Sequence, residues 1–344
     1  MGGLSDAPRP DGARRIAVTG AAGFVGRACV AEARRQGLGV VALCRGKTRP
    51  EWRDDGGIET VFVDLAAKDA LPVLRGVLGD CAAVIHAAAH LGDDPALLLR
   101  DTLAATRTLL EASDGAARLV LVSSIAVYDT DALRPGDSLT EASPLIALPG
   151  AATEEAAATA IGAARDAYAG AKRLQEALVT ERQGRAAWIL RPGAIWGPGR
   201  TWHALQGFWL GKLHVTLGSR GQLPLAHVDQ VARAAVAAAQ APEGPGAVVN
   251  VLDDDLPTRA RFLRVHRRCH GWPRLNVTLP YGLWLALIRV VKPVSGRLPG
   301  LFREPVLRAR MMPLRFPNTA MRGALGGADS DSFEAMMART ARAR

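Results

Sequence analysis

Cysteine, lysine and tyrosine are scarce in this chain of 344 residues. Cys29, Cys44, Cys81 and Cys269 lie far apart with no C-x-x-C pair, which argues against a disulfide framework and fits a reducing compartment. No run of 18 apolar residues occurs, so no segment reads as a membrane span. The N-terminal MGGLSDAPRPDGARR lacks the apolar core that a secretory signal needs. A cytoplasmic location is therefore expected. The basic residues lack interleaved stacking aromatics, so no nucleic-acid partner is expected. His266, Cys269 and His270 in VHRRCHG have helical ligand spacing, but no further ligand cluster joins them and arginines flank them, so no metal is expected.

With lysine so rare, arginine carries the positive charge. Lys+Arg total 43 against 33 Asp+Glu, and residues 259–344 alone hold 17 basic and 4 acidic side chains. Such a segment suits an anionic partner: nucleic acid, anionic lipid or a phosphorylated substrate. The abundance of Ala, Arg and Gly throughout is also what a compositional bias in the coding sequence gives. Apolar residues make up 49% and charged residues 22%, enough for a core and against disorder throughout. The length suits one large domain or two modest ones.

The first 13 residues, rich in Gly, Pro and Asp, read as a loose tail. Beyond them, short apolar runs at 15–20, 40–43, 58–64, 82–89, 118–124 and 186–192 read as strands. Helical patterns lie at 24–36, 95–112 and 164–182. A helix beginning near Asp229 and a strand at 247–251 follow. This alternation implies crossover units and a parallel sheet, in an α/β fold. Apolar residues on both faces of the strands imply helices on each side. Beyond Pro257 come arginine-studded helices broken by prolines. The expected partition is a flexible tail at 1–13, a dinucleotide-binding domain at 14–192 continued by 226–251, and a smaller, mostly helical substrate-binding region at 193–225 and 252–344.

TGAAGFVG, residues 19–26, places Gly20, Gly23 and Gly26 three apart between a strand and a helix. Glycine permits the tight turn, lets a pyrophosphate approach the backbone and allows close helix–strand packing. The exposed N–H groups and the helix dipole then favour phosphate. After the second strand an acidic residue would accept from a ribose 2′-hydroxyl, whereas arginine would pair with a 2′-phosphate. The chain has Leu43, Cys44, Arg45, Gly46 and Lys47 there, with no carboxylate. NADP(H) is therefore expected, with Arg45 as the contact; NAD(H) and two solvated surface charges are the alternative. In YAGAK, Tyr168 and Lys172 share one helix face. A free tyrosine, with a pKa of about 10, is a poor base at neutral pH. A nearby ammonium would lower that value.

At this point the chain resembles the extended short-chain dehydrogenases/reductases. The matching segments are TGAAGFVG, Asp64–Leu65, HAAA at 86–89, VSSIAVY at 122–128, YAGAK, RPGAIWGPG at 191–199 and AHVDQVARA at 226–234. The resemblance implies a Rossmann-type doubly wound parallel sheet. It implies Ser124 as the catalytic serine, Tyr168 as the acid/base and Lys172 as its partner. Ala22, Phe24 and Val25 would join the three glycines around the cofactor. Asp64 and Leu65 would flank the adenine, Ala87, Ala88 and Ala89 would line the cofactor, and Pro192 and Gly193 would abut the nicotinamide. His90, Tyr128 and Trp196 are expected in the substrate pocket. Many relatives form dimers, so a homodimer is compatible.

Three departures stand out. Thr102 occupies the place of an asparagine found in many relatives. Ser124 and Tyr168 are farther apart than in the commonest relatives, so an insertion is expected between Leu145 and Ala167, near the pocket mouth. Ala194 and Leu223–Pro224 replace residues customary in nucleotide-sugar enzymes. The branch it looks most like reduces ketones and hydroxysteroids. LPYGLWLALIRVV (279–291) is short for a span; it suits an ordinary core helix, the wall of a greasy pocket or, flanked by basic residues, a membrane surface. The leading expectation is an NADP(H)-dependent oxidoreductase that interconverts a ketone and a secondary alcohol on a hydrophobic small molecule. The alternatives are a nucleotide-sugar epimerase or dehydratase with tightly bound NAD, and a cofactor-sensing regulatory protein.

Overall fold

The computed structural model describes residues 14–46, 49–113, 117–148, 153–218, 220–242, 244–290, 300–327 and 331–343. The expected tail at 1–13 and Lys47 lie outside the described residues. β1 (Arg15–Thr19) runs through the glycine turn into α1 (Phe24–Arg35). β2 (Gly39–Cys44), β3 (Ile58–Phe62), α2 (Ala70–Leu78) and β4 (Ala83–His86) follow. The next helical stretch begins as α3 (Pro95–Leu98), widens through a π turn at Leu99–Ala104 and continues as α4 (Ala105–Ser113). Then come β5 (Arg118–Val122), α5 (Glu154–Ala163), α6 (Ala167–Gln183) and β6 (Trp188–Pro192). β7 (Ala194–Trp196), β8 (Gly207–Leu210), β9 (Leu213–Leu217) and β10 (Leu225–His227) precede α7 (Val228–Gln240) and β11 (Val248–Val251). The rest is α8 (Arg259–His270), β12 (Leu275–Leu279), α9 (Tyr281–Val290), α10 (Glu304–Met311), α11 (Thr319–Leu325) and α12 (Phe333–Arg342).

Seven strands form one parallel sheet in the order β11-β6-β5-β4-β1-β2-β3. The chain starts near the middle, winds outward to β3, then returns beside β1 as β4. The order therefore reverses between β1 and β4, which opens a crevice at the carboxyl ends of those strands. β2 is buried along all six residues, as its unbroken apolar run requires in a doubly covered sheet. Val30 and Ala33 of α1 with Val231 and Ala235 of α7 cover one face. Leu74 of α2, Leu109 of α4 and Val179 of α6 cover the other. The C-terminal region is less purely helical than its arginine-rich pattern implies. β8, β9 and β12 make a three-stranded sheet, and β7 pairs with β10.

Within the expected insertion, α5 packs on the outer side of α6. Ala160 and Ile161 meet Ala171 and Leu174, and a Cβ on Gly170 would stand 2.9 Å from that of Ala164. The insertion thus braces α6, and its end at Arg165 reaches the second cavity described below.

A buried ion pair fastens α6 to the sheet. Glu176 accepts from Arg191 Nε at 2.9 Å and Nη2 at 2.7 Å, and from the Ser123 hydroxyl at 2.6 Å. Arg191 Nη1 donates to the Tyr128 hydroxyl at 3.0 Å, which itself donates to Asn250 Oδ1 at 2.7 Å. Removing one partner of such a pair strands a buried charge, at a cost of about 3–5 kcal/mol. Glu176→Leu should lose that much stability in urea unfolding, and Glu176→Leu with Arg191→Leu should recover part of it.

Candidate active site

The glycine turn is dictated by space. Gly20 has φ 61°, in the left-handed region. A Cβ on Gly26 would lie 2.2 Å from Gly20 O, so no other residue fits between helix and turn. α1 begins at Gly23 without a side-chain cap and has no acidic residue in its first turn. Its leading N–H groups are therefore left for an external acceptor. These features suit a dinucleotide pyrophosphate, and Gly20, Ala22, Gly23, Phe24, Val25 and Gly26 together line the space beside the turn.

That space is part of a cavity of about 570 Å³. Arg45, Asp64 and Leu65 line it toward β2 and β3, Ala87, Ala88 and Ala89 line it beyond β4, and Tyr168, Lys172, Pro192 and Gly193 close the far side. Arg45 Nη1 donates to Asp101 Oδ2 at 2.7 Å, while Arg100 bridges Asp101 and Asp64. A second cavity of about 690 Å³ adjoins the first, and both are lined by Ser124, Tyr168, Gly193 and Ala194. The serine and tyrosine hydroxyls thus stand where the two spaces meet.

Ser124 stands beside Tyr168, and both side chains line both cavities. Burial pushes the Tyr168 hydroxyl up to about 12, the neighbouring Ser124 hydroxyl opposes the rise, and Asp166 adds to it. Tyr168 is therefore a neutral phenol at pH 7. Lys172 Nζ donates to Val122 O at 2.9 Å and Gln175 Oε1 at 2.8 Å. Burial pulls its ammonium down to about 8, with Glu176 opposing.

Gln175 continues into a chain whose donor directions can be assigned. Thr106 Oγ1 spends its hydrogen on Thr102 O at 2.5 Å. It must then accept from Gln175 Nε2 and from His86 Nε2, both at 2.9 Å. His86 Nδ1 is left as an acceptor for the Thr19 hydroxyl at 2.8 Å, and Thr19 Oγ1 accepts from Ala88 N at 3.1 Å. Burial, helped by the Lys172 charge, holds His86 down to about 3, so the ring stays neutral and this tautomer persists. The chain joins the Lys172 ammonium to backbone lining the first cavity. Thr102 itself is buried and accepts from His90 N at 3.0 Å.

Three residues expected at the substrate pocket are elsewhere. Tyr128 is fully buried in the Arg191 network. Trp196 is buried, donates to Asp253 Oδ2 at 2.8 Å and packs against His227 and Phe333. His90 lies just outside the lining of both cavities, whose nearest members are Ala89 and Leu91. Their strand and turn positions direct these side chains into the core or aside. Conversely, sequence reasoning missed Arg165, Arg259, Arg303 and Arg310, which line the second cavity. It also missed Arg200, which lines the first and covers the Phe24 ring at 5.2 Å. The arginine-rich C-terminal composition was the signal, without position.

The sequence profile of the NAD dependent epimerase/dehydratase family matches residues 16–251. The chain belongs to that family. A Synechocystis protein provisionally named a dihydroflavonol 4-reductase is 31% identical over 188 residues, 53% of this chain and 49% of that protein. The match thus spans about half the length of this relative. Among solved structures, UDP-glucuronic acid 4-epimerase from Bacillus cereus with NAD superposes with a TM-score of 0.66 at 18% identity, covering 96% of this chain and 98% of that one. The terminal R domain of the myxalamid PKS-NRPS pathway gives 0.67 at 20% identity, covering 97% and 91%. At these identities the structural likeness concerns the fold.

Gln175→Leu removes an acceptor from the Lys172 ammonium and so destabilises its charged form. The pH profile of cofactor affinity should shift, with the alkaline loss moving down by about one unit, the worth of one hydrogen bond to a charged group. Titrating cofactor fluorescence quenching against pH measures it.

Proposed function

We propose that the chain is an NADP(H)-dependent oxidoreductase interconverting a ketone and a secondary alcohol. The observation that carries this reading is the neutral Tyr168 beside Ser124 where the two cavities meet. When bound, the nicotinamide supplies or accepts a hydride. In the reducing direction Tyr168 gives its proton to the carbonyl oxygen and Ser124 donates a hydrogen bond to the same oxygen as charge develops. Lys172, which lines the same cavity, would hold the nicotinamide ribose. In reverse, the alcohol proton would pass to the phenolate form of Tyr168, which is scarce at neutral pH, so the site as built favours reduction. Tyr168→Phe should lower turnover at least about a hundredfold with cofactor affinity unchanged within a few-fold. Turnover retained in that variant overturns the reading.

Support for the 2′-phosphate comes from Arg45, exposed at the end of β2 with no carboxylate following it there. The phosphate would share this guanidinium with Asp101. Arg45→Asp should raise the KM for NADPH at least about tenfold, as expected for loss of a charge-assisted pair, and leave NADH less affected.

The second cavity supports a substrate of mixed character. Leu139, Leu205, Met312, Leu314 and Phe316 give it an apolar wall; Arg165, Arg259, Arg303 and Arg310 line it together with Asp93 and Asp166. Four guanidiniums against two carboxylates leave this lining net positive, which favours an apolar body bearing an acidic group. The same arginines favour a second reading, a nucleotide-sugar epimerase whose substrate diphosphate they would hold. The two differ in whether reduced cofactor is consumed, which its absorbance reports directly.

A further inference from the structure

α9 has two apolar faces. Tyr281, Trp284 and Ile288 turn inward, where Trp284 meets Phe208 of β8 with ring centroids 5.4 Å apart. Leu283, Leu287 and Val290 turn outward, with Leu283 61% and Val290 78% exposed. No residue of α9 lines either cavity of the candidate active site, so this helix is not a wall of the substrate pocket.

The register of the small sheet extends the patch. Phe208 pairs with Val215 and Val215 with Val277; Leu210 pairs with Leu213 and Leu213 with Leu275. Side chains paired across strands share a face and alternate along each strand. Leu210, Leu275 and Val277 therefore look out on the side where α9 packs, and all three are exposed. With the three from α9 they are half of the twelve large apolar side chains exposed among the described residues. Clustering of that kind marks an interaction surface.

Charge identifies the occupant. Residues 256–303 contain ten Lys and Arg and no Asp or Glu, but Arg259 is buried, Arg261 is paired with Asp255 and Glu334, and Arg303 lines the second cavity. Lys212 in the β8–β9 turn and Arg274 just before β12 are exposed at the rim of the patch. Arg264, Arg267 and Arg268 of α8 lie on the other side of β12, beside Asn276 and Thr278. Arg289 is paired with Glu304 at 2.8 Å and adds no free charge. We propose that α9 and this face of the small sheet dock on an anionic membrane surface, with the leucines and valines entering the acyl boundary and the basic rim meeting the headgroups. Two copies pairing through this face would set like charges against each other, which disfavours self-association.

Flotation of the full chain with phosphatidylcholine vesicles, with and without phosphatidylserine, tests this. Binding to the serine-containing vesicles should exceed binding to the neutral ones by at least about tenfold and weaken in high salt. Leu283→Asp with Leu287→Asp, and separately Lys212→Glu with Arg274→Glu, should each reduce it about tenfold, with thermal melting and cofactor affinity unchanged. Absence of binding to the anionic vesicles overturns the proposal, as does binding that survives both double variants. Concentration-dependent dimerisation abolished by the leucine variants also overturns it, in favour of a second copy as the occupant.

Discussion

One buried carboxylate orients both halves of the candidate active site. Glu176 lies on α6, four residues after Lys172 and eight after Tyr168, so all three fall on one stripe of that helix. It binds Arg191 of β6 and the hydroxyl of Ser123, the residue preceding Ser124. The helix that carries the phenol and ammonium is thereby fixed against the strand end that carries the serine. Geometry at the 1 Å level matters for proton transfer, and a charge pair buried to this degree tolerates little displacement, since separating the partners leaves each ion in apolar surroundings. The network continues through Tyr128 to Asn250 on β11, so the edge of the sheet is locked by the same set of bonds.

The central fold was legible because its signals are local. β2 is an unbroken apolar run, β1 and β4 have apolar centres, and Gly20, Gly23 and Gly26 announce the turn by residue type alone. The same holds for the pair Tyr168 and Lys172, whose spacing carries its own geometry. β8, β9 and β12 escaped notice because each is short and gains stability only from distant partners, β12 pairing with a strand some sixty residues earlier. Tyr128 and Trp196 were misplaced for a related reason. Their segments lead toward the cavities, but each polar tip finds a buried partner, Asn250 or Asp253, that no local pattern reveals. Gln175, Thr106 and His86 read as ordinary core residues until their hydrogen bonds are traced.

The titrating groups near the cavities sit at three levels. His86 is held near 3, Lys172 near 8 and Tyr168 near 12. At neutral pH the imidazole is neutral, the amine charged and the phenol protonated. Below its pKa the buried Lys172 ammonium lowers the stability of the fold, because the unfolded chain carries that charge in water at less cost. Stability from this group therefore rises as pH passes upward through about 8 toward the unfolded value. Its two acceptors, Val122 O and Gln175 Oε1, offset part of that cost.

The second cavity has the opposite character. Around Lys172 the donor and acceptor directions close on one another. Around the second cavity some guanidinium valences stay open. Arg259 is buried, donates from Nε to Leu205 O and from Nη2 to Arg310 O, and keeps Nη1 without a partner. Arg165 donates both terminal nitrogens to the carbonyls of Ala126 and Tyr128, and its Nε makes no hydrogen bond but lies 3.8 Å from Asp166 Oδ2. Buried donors left open are costly, about 1–3 kcal/mol each. Backbone carbonyls already fix both guanidiniums, so a carboxylate or phosphate arriving in this cavity would meet oriented charge without first ordering it.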